Sequence, residues 1–478
     1  GTNVITAALS GSGGLRSSGG NTTLSGANDY TGVTTLSGST LTVTGDGTVA
    51  GTGTLGATNN GLVITNSALL NLNGVTNSVG AVTLDNGTIE SGFRVYIAGG
   101  LGATPHPALA LEDFTSREDL LPTVEAALRV FDQTGNRDNK LRARMKWVVD
   151  QLGIDEVRRR VIKIRHTLPA SSSWPGGIPA EVRNAGDAPA GRITEGEVSQ
   201  VGQSTLINFT SSDPFRRWEN ASVIRGAANG TVSAIAYAPL GDITASQFRA
   251  LANIQRHFKS DVRLSNRQNV VFRSLQPSQM RELYDMLDAI GMAQPGAELS
   301  RDVVACPGAD TCNIAVTQSR GLAKAIGEKL EEEGLAEVGG VRINISGCTN
   351  SCGQHHASDI GFFGAERRAH GKSLPGYQML LGGYVGEEQI HFGEKALRLP
   401  AKAAPEAVAR VVRRFAAERD AAETFQGWLA RSGGATAVAD GLRDLDDIPL
   451  PDTAPEFFVD YDETGPFSGE VGDSECAV

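Results

Sequence analysis

The chain has 478 residues, 43 of them basic and 54 acidic, and a formal net charge of −11. This length fits about two to four domains, and the acidic balance argues against a nucleic-acid-binding protein. The absence of any run of about 18 apolar residues argues against a membrane-spanning helix. The N-terminus has no basic stretch followed by an apolar core, so the sequence shows no signal peptide.

Residues 1–92 differ in composition from the rest of the chain. They contain one aromatic residue, Tyr30, one basic residue, Arg16, and no Pro, Cys, His or Lys. Short alternating runs recur between Gly, Asn and Asp residues, at 34–36, 40–43, 61–64, 69–72 and 81–84. Short strands with turn residues at near-regular spacing predict a repetitive β-solenoid-like segment. The alternative interpretation is a flexible Gly/Ser/Thr linker.

From Phe93 onward, charged amphipathic patterns, aromatics and prolines predict a different, α+β part of the chain. Helices are expected over 118–131 and 139–152, and the Ser- and Gly-rich stretch 171–177 is expected to be a linker. Next come a strand over 231–239, a helix from Thr244, a strand or hairpin over 263–275 and a helix over 278–290. The helix from Thr244 is expected to pack with Phe248, Leu251, Ile254 and Phe258 on one face. This strand–helix–strand–helix order predicts a ferredoxin-like half-domain.

Four of the five cysteines form two close pairs, Cys306 with Cys312 and Cys348 with Cys352. A helix over 317–333 and a strand over 341–345 are predicted between the pairs, so two loops are expected to bring four thiols together. Four thiolates are the usual ligands of an iron–sulfur cluster. Structural zinc is less favoured because its cysteines are usually two to four residues apart. Disulfide bonds, or four unrelated buried cysteines, are also compatible with this spacing. Small residues at 308, 309, 347 and 353 would let backbone N–H groups approach the cluster sulfurs.

The cysteine pairs lie in longer motifs. Cys306-x5-Cys312 followed by Asn344-Ile-Ser-Gly-Cys348-Thr-Asn-Ser-Cys352-Gly-Gln-His resembles the signature of sirohaem nitrite and sulfite reductases. Further similar stretches lie at 241–244, 263–269, 359–364 and 376–383. The resemblance covers about residues 93–478, as the second half of the family's architecture with the tail of the first half.

The resemblance implies that Cys306, Cys312, Cys348 and Cys352 ligate a 4Fe-4S cluster. Cys352 would also supply the bridging thiolate to the sirohaem iron. It further implies the reduction of nitrite to ammonia or of sulfite to sulfide in the cytoplasm. Reduced ferredoxin or a flavoprotein would be the electron donor.

No catalytic residue is identified, because the family's basic anion-binding residues belong to the unmatched first half. Arg267 and Arg342 are candidates only by their proximity to matched motifs, and paired or solvated arginines are the preferred interpretation. His355 and His356 are interpreted as supporting residues of the loop.

The resulting prediction is an α+β protein with six segments. Residues 1–92 form the β repeat, 93–170 the tail of the first reductase repeat and 171–217 a linker. Residues 218–292 form the ferredoxin-like half-domain, 296–434 an α/β domain that holds the 4Fe-4S cluster and sirohaem, and 435–478 an acidic C-terminal tail. Residues 26–35 and 38–43 resemble the strand repeat of autotransporter passenger domains, which are exported. We therefore expect a chimera joined near residues 91–93, with an incomplete reductase of impaired activity.

Two hypotheses from different functional classes stay open. The first is a β-solenoid structural or adhesive protein with an accidental reductase fusion. The second is an electron-transfer protein that carries the cluster alone. The choice between nitrite and sulfite is also open, although Ser351 and Gly353-Gln354 look more like the nitrite branch.

Overall fold

The computed structural model describes residues 2–5, 15–24, 34–43, 62–65, 69–71, 82–85, 88–89, 92–139, 142–175, 212–225, 230–386 and 390–472. These residues belong to two compact units. The first unit contains residues 1–100 and 106–181, and the second contains residues 101–105 and 182–478. Most of the expected linker, and Cys476, lie outside the described residues.

The first unit begins with seven strands that pair in parallel. The strands are β1 (Thr2–Ile5), β2 (Arg16–Leu24), β3 (Thr34–Val43), β4 (Leu62–Thr65), β5 (Leu69–Asn71), β6 (Val82–Asp85) and β7 (Thr88–Ile89). Their order is β1-β2-β3-β4-β6, with β5 beside β3 and β7 beside β5. Leu36 and Leu41 of β3 are fully buried. The described residues of all five alternating runs therefore lie in strands, while the solenoid and its resemblance to passenger domains stay predictions.

The remainder of the first unit is a hairpin that packs with three helices. Strands β8 (Gly92–Ile97) and β9 (Leu109–Ser116) are antiparallel. They precede α1 (Arg117–Thr134), α2 (Met145–Leu152) and α3 (Ile154–Arg165). The buried core comprises Leu111, Ala126, Ala127, Val130, Val148, Val149, Val157 and Val161. The helix expected over 118–131 is present as α1.

The second predicted helix is shorter than expected, because α2 begins at Met145 instead of Asn139. The Asn136 side chain accepts hydrogen bonds from the backbone N–H groups of Asp138 and Asn139, at 3.0 and 2.7 Å. These bonds of an Asn side chain to N–H groups two and three residues further on form an Asx-type turn. Arg144 is then extended, with φ −136° and ψ 153°, so the helix starts after it.

The second unit begins with the expected half-domain. Its elements are α4 (Pro214–Ser222), β10 (Val223–Arg225), β11 (Val232–Ala236), α5 (Ala245–Phe258), β12 (Asp261–Leu264), β13 (Val270–Leu275) and α6 (Met280–Asp288). The sheet order is β10-β11-β13-β12, all antiparallel. Thr244 begins α5 with a capping box: its side chain accepts from the Gln247 N–H, and the Gln247 side chain accepts from the Thr244 N–H. Buried Trp218, Phe272 and Leu283 fill the core between sheet and helices.

One face assignment on α5 was wrong. Leu251 and Ile254 are buried and Phe258 packs against the core, but 61% of Phe248 is exposed. At about 100° per residue, Phe248 lies roughly 60° from Leu251 and 120° from Ile254 around the helix axis. It therefore falls at the margin of the apolar stripe, where the sheet does not cover it.

The following α/β domain is built on a five-stranded sheet. Its strands are β14 (Val304–Ala305), β15 (Ile343–Ser346), β16 (Ile360–Ala369), β17 (Lys372–Leu381) and β20 (Glu394–Pro400), in that order across the sheet. The pairs β14–β15 and β15–β16 are parallel, and the others are antiparallel. Helix α7 (Ser319–Glu332) connects β14 to β15, as a parallel pair requires. A small hairpin, β18 (Tyr384–Val385) with β19 (Ile390–His391), precedes β20.

Three helices and the C-terminal segment complete this domain. They are α8 (Ala404–Glu418), α9 (Phe425–Arg431) and α10 (Gly434–Asp440). Phe415, Phe425 and Trp428 pack with ring centroids 5.2–5.5 Å apart in the core. The C-terminal segment contacts the same domain at two places. The Gln318 N–H donates to Asp460 Oδ2 at 2.9 Å, and the Gly472 N–H donates to the Asn313 carbonyl at 2.6 Å.

Candidate functional site

The two cysteine pairs follow adjacent parallel strands. Cys306 comes directly after β14, and Cys348 comes two residues after β15. The register pairs Ala305 with Ile345, and the Cys306 N–H donates to the Ile345 carbonyl at 3.1 Å. Parallel strands end at the same edge of a sheet, so both loops start side by side. The fold thus brings the two pairs together as the sequence predicted.

Glycines allow the two loops to touch. A Cβ atom on Gly347 would lie 2.8 Å from the Thr317 carbonyl and 2.9 Å from Gly308 Cα. A Cβ atom on Gly353 would lie 2.0 Å from the Ile345 carbonyl. Gly308 also has φ +64°, in the left-handed region that favours glycine. These positions require glycine because backbone meets backbone there.

The thiol sulfurs lie among backbone N–H donors. The Gly347 N–H donates to Cys306 Sγ at 3.2 Å. Burial raises the pKa of the Cys348 thiol, the neighbouring thiols of Cys306, Cys352 and Cys312 raise it further, and a backbone hydrogen bond from Asn350 opposes them. The other three thiols therefore each lie within electrostatic range of Cys348. A bound cation offsets the cost of placing several thiolates together, so this donor set fits a metal cluster.

Exposure distinguishes one thiol from the other three. Cys306, Cys312 and Cys348 are half-buried, while Cys352 is exposed. Within the described ranges, no group of three or more His, Cys, Asp or Glu side chains is arranged to hold a single metal ion. A 4Fe-4S cluster binds its thiolates on four different iron atoms, so its ligands lie around a cube. Its exposure leaves the Cys352 sulfur accessible to a second group, as the resemblance implies for the sirohaem iron.

His355 and His356 support the loop that follows Cys352. His355 is fully buried, and its Nδ1 lies 2.8 Å from Ser346 Oγ. Burial, together with the neighbouring His356, lowers the pKa of His355 to about 3, so the ring is neutral at physiological pH. His356 Nε2 lies 3.0 Å from the Gly102 carbonyl. These contacts agree with the interpretation of both histidines as supporting residues.

The two candidate arginines are paired with carboxylates. Arg267 is buried and lies 3.5 Å from the Asp302 carboxylate, and Arg342 lies 3.1 Å from Glu298. Both pairs agree with the preferred interpretation of these residues as paired arginines. Arg267 lies in the turn between β12 and β13 instead of in a strand.

Sequence reasoning assigned no role to several polar side chains that contact the cysteine loops. Asn344 Nδ2 donates to the Gly353 carbonyl at 2.9 Å, and Gln268 Nε2 donates to the Ala305 carbonyl at 3.0 Å. Both residues stand inside the motifs that carried the resemblance. The motifs indicated that these residues matter, but only the fold shows which backbone groups they hold.

Two family models match the chain. The model described as the nitrite and sulphite reductase 4Fe-4S domain matches residues 69–167 and 296–437. The model described as the nitrite/sulfite reductase ferredoxin-like half domain matches residues 226–290. The first match begins at residue 69, inside the range 1–92 that composition assigned to the β repeat.

Several named proteins are similar to the chain. The assimilatory ferredoxin-dependent nitrite reductase of Haloferax mediterranei is 27% identical over 356 residues, which are 73% of this chain and 56% of the relative. The ferredoxin–nitrite reductase of Synechococcus elongatus is 29% identical over 310 residues, 64% of this chain and 53% of the relative. The ferredoxin sulfite reductase 1 of Mycolicibacterium paratuberculosis is 24% identical over 376 residues, 77% of this chain and 61% of the relative.

A solved structure shares the fold. The Mycobacterium tuberculosis NirA protein aligns with a TM-score of 0.55 and 23% identity, over 77% of this chain and 63% of that one. At this identity the likeness concerns the fold alone. It agrees with the α+β architecture and the ferredoxin-like half-domain expected from the sequence.

Proposed function

This chain belongs to the nitrite and sulphite reductase 4Fe-4S family, and from that membership we propose that it takes part in reducing nitrite to ammonia or sulfite to sulfide. The family's cofactors, a 4Fe-4S cluster and sirohaem, are the expected pair. The chain spans 56% and 53% of the length of two relatives that it matches. The activity, substrate and electron donor of the whole enzyme are therefore proposals for this chain.

The observation that carries the proposal is the convergence of the two cysteine loops at one edge of the β14–β15 pair. The thiols of Cys306, Cys312 and Cys352 each lie within electrostatic range of Cys348, and the Gly347 N–H donates to Cys306 Sγ. Backbone donors to the ligand sulfurs are one of the means by which proteins adjust cluster potentials. Unrelated buried cysteines would have no reason to collect at one strand edge with glycines between them.

Each cysteine has a proposed role. Cys306, Cys312, Cys348 and Cys352 hold the cluster, and Cys352 also provides the thiolate shared with the sirohaem iron. Once bound, these groups supply stepwise electron delivery to an oxyanion. Ser346 and Asn344 hold the loop that contains Cys352: Ser346 Oγ accepts from the Gly353 N–H at 3.1 Å, and Asn344 Nδ2 donates to the Gly353 carbonyl.

Ferredoxin is the proposed electron donor, because the relatives are named as ferredoxin-dependent enzymes; a flavoprotein is the alternative. Among the described residues, no helix is both long and apolar enough to cross a membrane. We propose a cytoplasmic location for the reductase part. The export suggested by the passenger-like repeat rests on the resemblance of residues 26–35 and 38–43, and the junction near residues 91–93 rests on that resemblance and the change in composition; both remain proposals.

The choice between nitrite and sulfite needs an assay, because relatives of both kinds match the chain. The full chain is purified without oxygen, and oxidation of reduced ferredoxin is followed with nitrite, with sulfite and without an anion. We expect anion-dependent oxidation in the wild type and none in Cys352→Ser. The rates of ferredoxin oxidation also show how far the activity of this incomplete reductase is impaired. If the cofactor-loaded protein oxidises the donor equally with and without either anion, the proposed reductase activity is contradicted. That result would favour a cluster-only electron-transfer protein.

A further inference from the structure

A tight turn of the half-domain reaches into the neighbouring α/β domain. It joins β12 to β13 through residues 265–269, and the Gln268 N–H donates to the Ser265 carbonyl at 3.0 Å. Asn269 is buried and anchors the base of the turn, with its Oδ1 accepting from the Ala238 N–H at 2.9 Å. The side chains of Arg267 and Gln268 then extend towards different cysteine loops.

Arg267 acts on the loop that contains Cys352. Its Nη1 donates to Asn344 Oδ1 at 3.1 Å, and Asn344 Nδ2 donates to the Gly353 carbonyl at 2.9 Å. Both side chains are buried. Asp302 lies 3.5 Å from Arg267 Nε and balances the charge of the guanidinium. A buried chain of hydrogen bonds thus runs from the turn to the residue that directly follows Cys352.

Gln268 acts on the loop that contains Cys306. Its Nε2 donates to the Ala305 carbonyl at 3.0 Å, and Ala305 directly precedes Cys306. The backbone of Gln268 has φ +66°, a conformation that non-glycine residues seldom adopt. This conformation is held by the turn and points the side chain at β14. One short turn therefore contacts both cysteine loops.

We infer that the β12–β13 turn is a positioning element for the cysteine site, with Gln268 fixing the Cys306 loop and Arg267, through Asn344, fixing the Cys352 loop. The role in cofactor positioning rests on the proposed function, whereas the restraint on the loops does not. The Cys352 loop needs external support because Ser351 and Gln354 both have positive φ, at 62° and 59°. A ligand holds its geometry only when its supporting residues are themselves held.

The test is hydrogen exchange of the purified full chain without cofactors, read by mass spectrometry in peptides around each loop. Asn344→Ala is expected to speed exchange in residues 349–356 by about tenfold, the factor that loss of one buried hydrogen bond gives. Residues 305–312 should stay unchanged in this variant. Gln268→Ala is expected to show the reverse pattern. Both variants are expected to fold, because Asn344→Ala leaves the Arg267–Asp302 pair in place and Gln268 is only half-buried. If one variant does not fold, the other still tests its own loop.

Ser300→Ala is the matched control. Its hydroxyl also makes a buried hydrogen bond to a backbone carbonyl, that of Leu335, but this carbonyl precedes β15 and lies away from the strand edge that carries the cysteines. It should change neither loop. Equal exchange in the wild type, Asn344→Ala and Gln268→Ala, or acceleration of both loops by every variant, would overturn the inference.

A second measurement concerns the loaded protein. Asn344→Ala should shift the visible absorption of bound sirohaem, because the Cys352 thiolate changes its orientation, and Ser300→Ala should not. An unchanged spectrum in Asn344→Ala would overturn the cofactor-positioning role. If the wild type binds neither cluster nor sirohaem, the proposed function fails, while the exchange data still decide whether the turn restrains the loops.

Discussion

Asp359 is a buried carboxylate in the α/β domain, and its protonation affects the stability of the fold. It accepts hydrogen bonds from the Arg342 N–H at 2.7 Å and from Gln426 Nε2 at 2.5 Å. Burial nevertheless raises the pKa of Asp359 to about 6. A raised carboxyl pKa in the folded state means that ionisation opposes folding. The contribution to stability is therefore full below the unfolded pKa, near 4, and is lost as the pH rises through about 6.

The consequence can be measured by comparing the wild type with Asp359→Asn, which has no titrating group at this position. Between pH 4.5 and pH 7.5, the wild type should lose stability relative to the variant by about 2 kcal/mol, because part of the effect of the shift of about two pKa units is already lost at pH 4.5. Urea denaturation at both pH values gives this double difference, in which the other titrating groups cancel. An identical difference at both pH values would show that Asp359 does not titrate in this window.

The surroundings of Gly353 predict how a substitution there changes the stability of the domain. A Cβ atom there would meet the Ile345 carbonyl at 2.0 Å, so backbone would have to move. Gly327, inside α7, offers a matched control because a Cβ atom there has nothing within 4 Å. Gly353→Ala should destabilise the domain by about 2–3 kcal/mol, whereas Gly327→Ala should stabilise it by about 1 kcal/mol. Equal denaturation midpoints for the two variants would refute the close approach of Gly353 to the Ile345 carbonyl.

At the scale of elements, α7 depends on the C-terminal segment. Within the described part of the chain, the side chain of its N-cap residue, Gln318, makes no capping hydrogen bond. Asp460 from the C-terminal segment takes that role, accepting from the Gln318 N–H at 2.9 Å. A carboxylate at a helix N-terminus satisfies a free N–H group and interacts favourably with the helix dipole. The tail is thus part of the structure that supports the Cys306–Cys312 loop.

Asp460→Ala should therefore lower the free energy of unfolding by about 1–2 kcal/mol, the usual value of a lost N-cap. Asp462→Asn removes an exposed negative charge two residues away and keeps a side chain that tolerates the positive φ of 57° there, so it should change stability by less than about 0.5 kcal/mol. Thermal unfolding of the two variants beside the wild type makes the comparison. Equal effects would mean that the general acidity of the segment matters, and not the cap.

Local patterns predicted β11, α5, β12, β13 and α6 of the half-domain, and α7 and β15 of the α/β domain. The capping box at Thr244 and Gln247 set the start of α5, and the alternation of apolar residues set β12, β13 and β15. Errors arose where a side chain competes with the backbone, as Asn136 does before α2, or where a residue lies at the margin of an apolar stripe, as Phe248 does. Short-range physical signals can predict elements but give their ends less surely.

The cysteine site was predictable because only one strand and one helix separate its two pairs. Its support was not predictable, because Arg267 and Asn344 are 77 positions apart and Asp359 and Gln426 are 67 apart. The first contact depends on how the half-domain packs against the α/β domain, and the second depends on how α9 packs against the residue before β16. No periodicity or spacing in the sequence encodes that packing.

At the scale of the whole molecule, the matched segments follow the order expected from the resemblance. A 4Fe-4S domain segment at 69–167 precedes the half-domain at 226–290, and a second 4Fe-4S domain segment follows at 296–437. The four cysteines all belong to the last segment. The proposed cofactor ligands are therefore gathered in one part of the second unit.

The most direct test of this account is the cofactor content of single cysteine variants. The full chain is purified anaerobically, and iron, acid-labile sulfide and extracted sirohaem are measured for the wild type and for each Cys→Ser variant. We predict about four sulfides per wild-type chain with sirohaem present, and loss of the cluster in variants of Cys306, Cys312, Cys348 and Cys352. Cys476→Ser should retain both cofactors. A wild type without iron and sulfide, or a cluster that survives replacement of the four cysteines, would contradict the account.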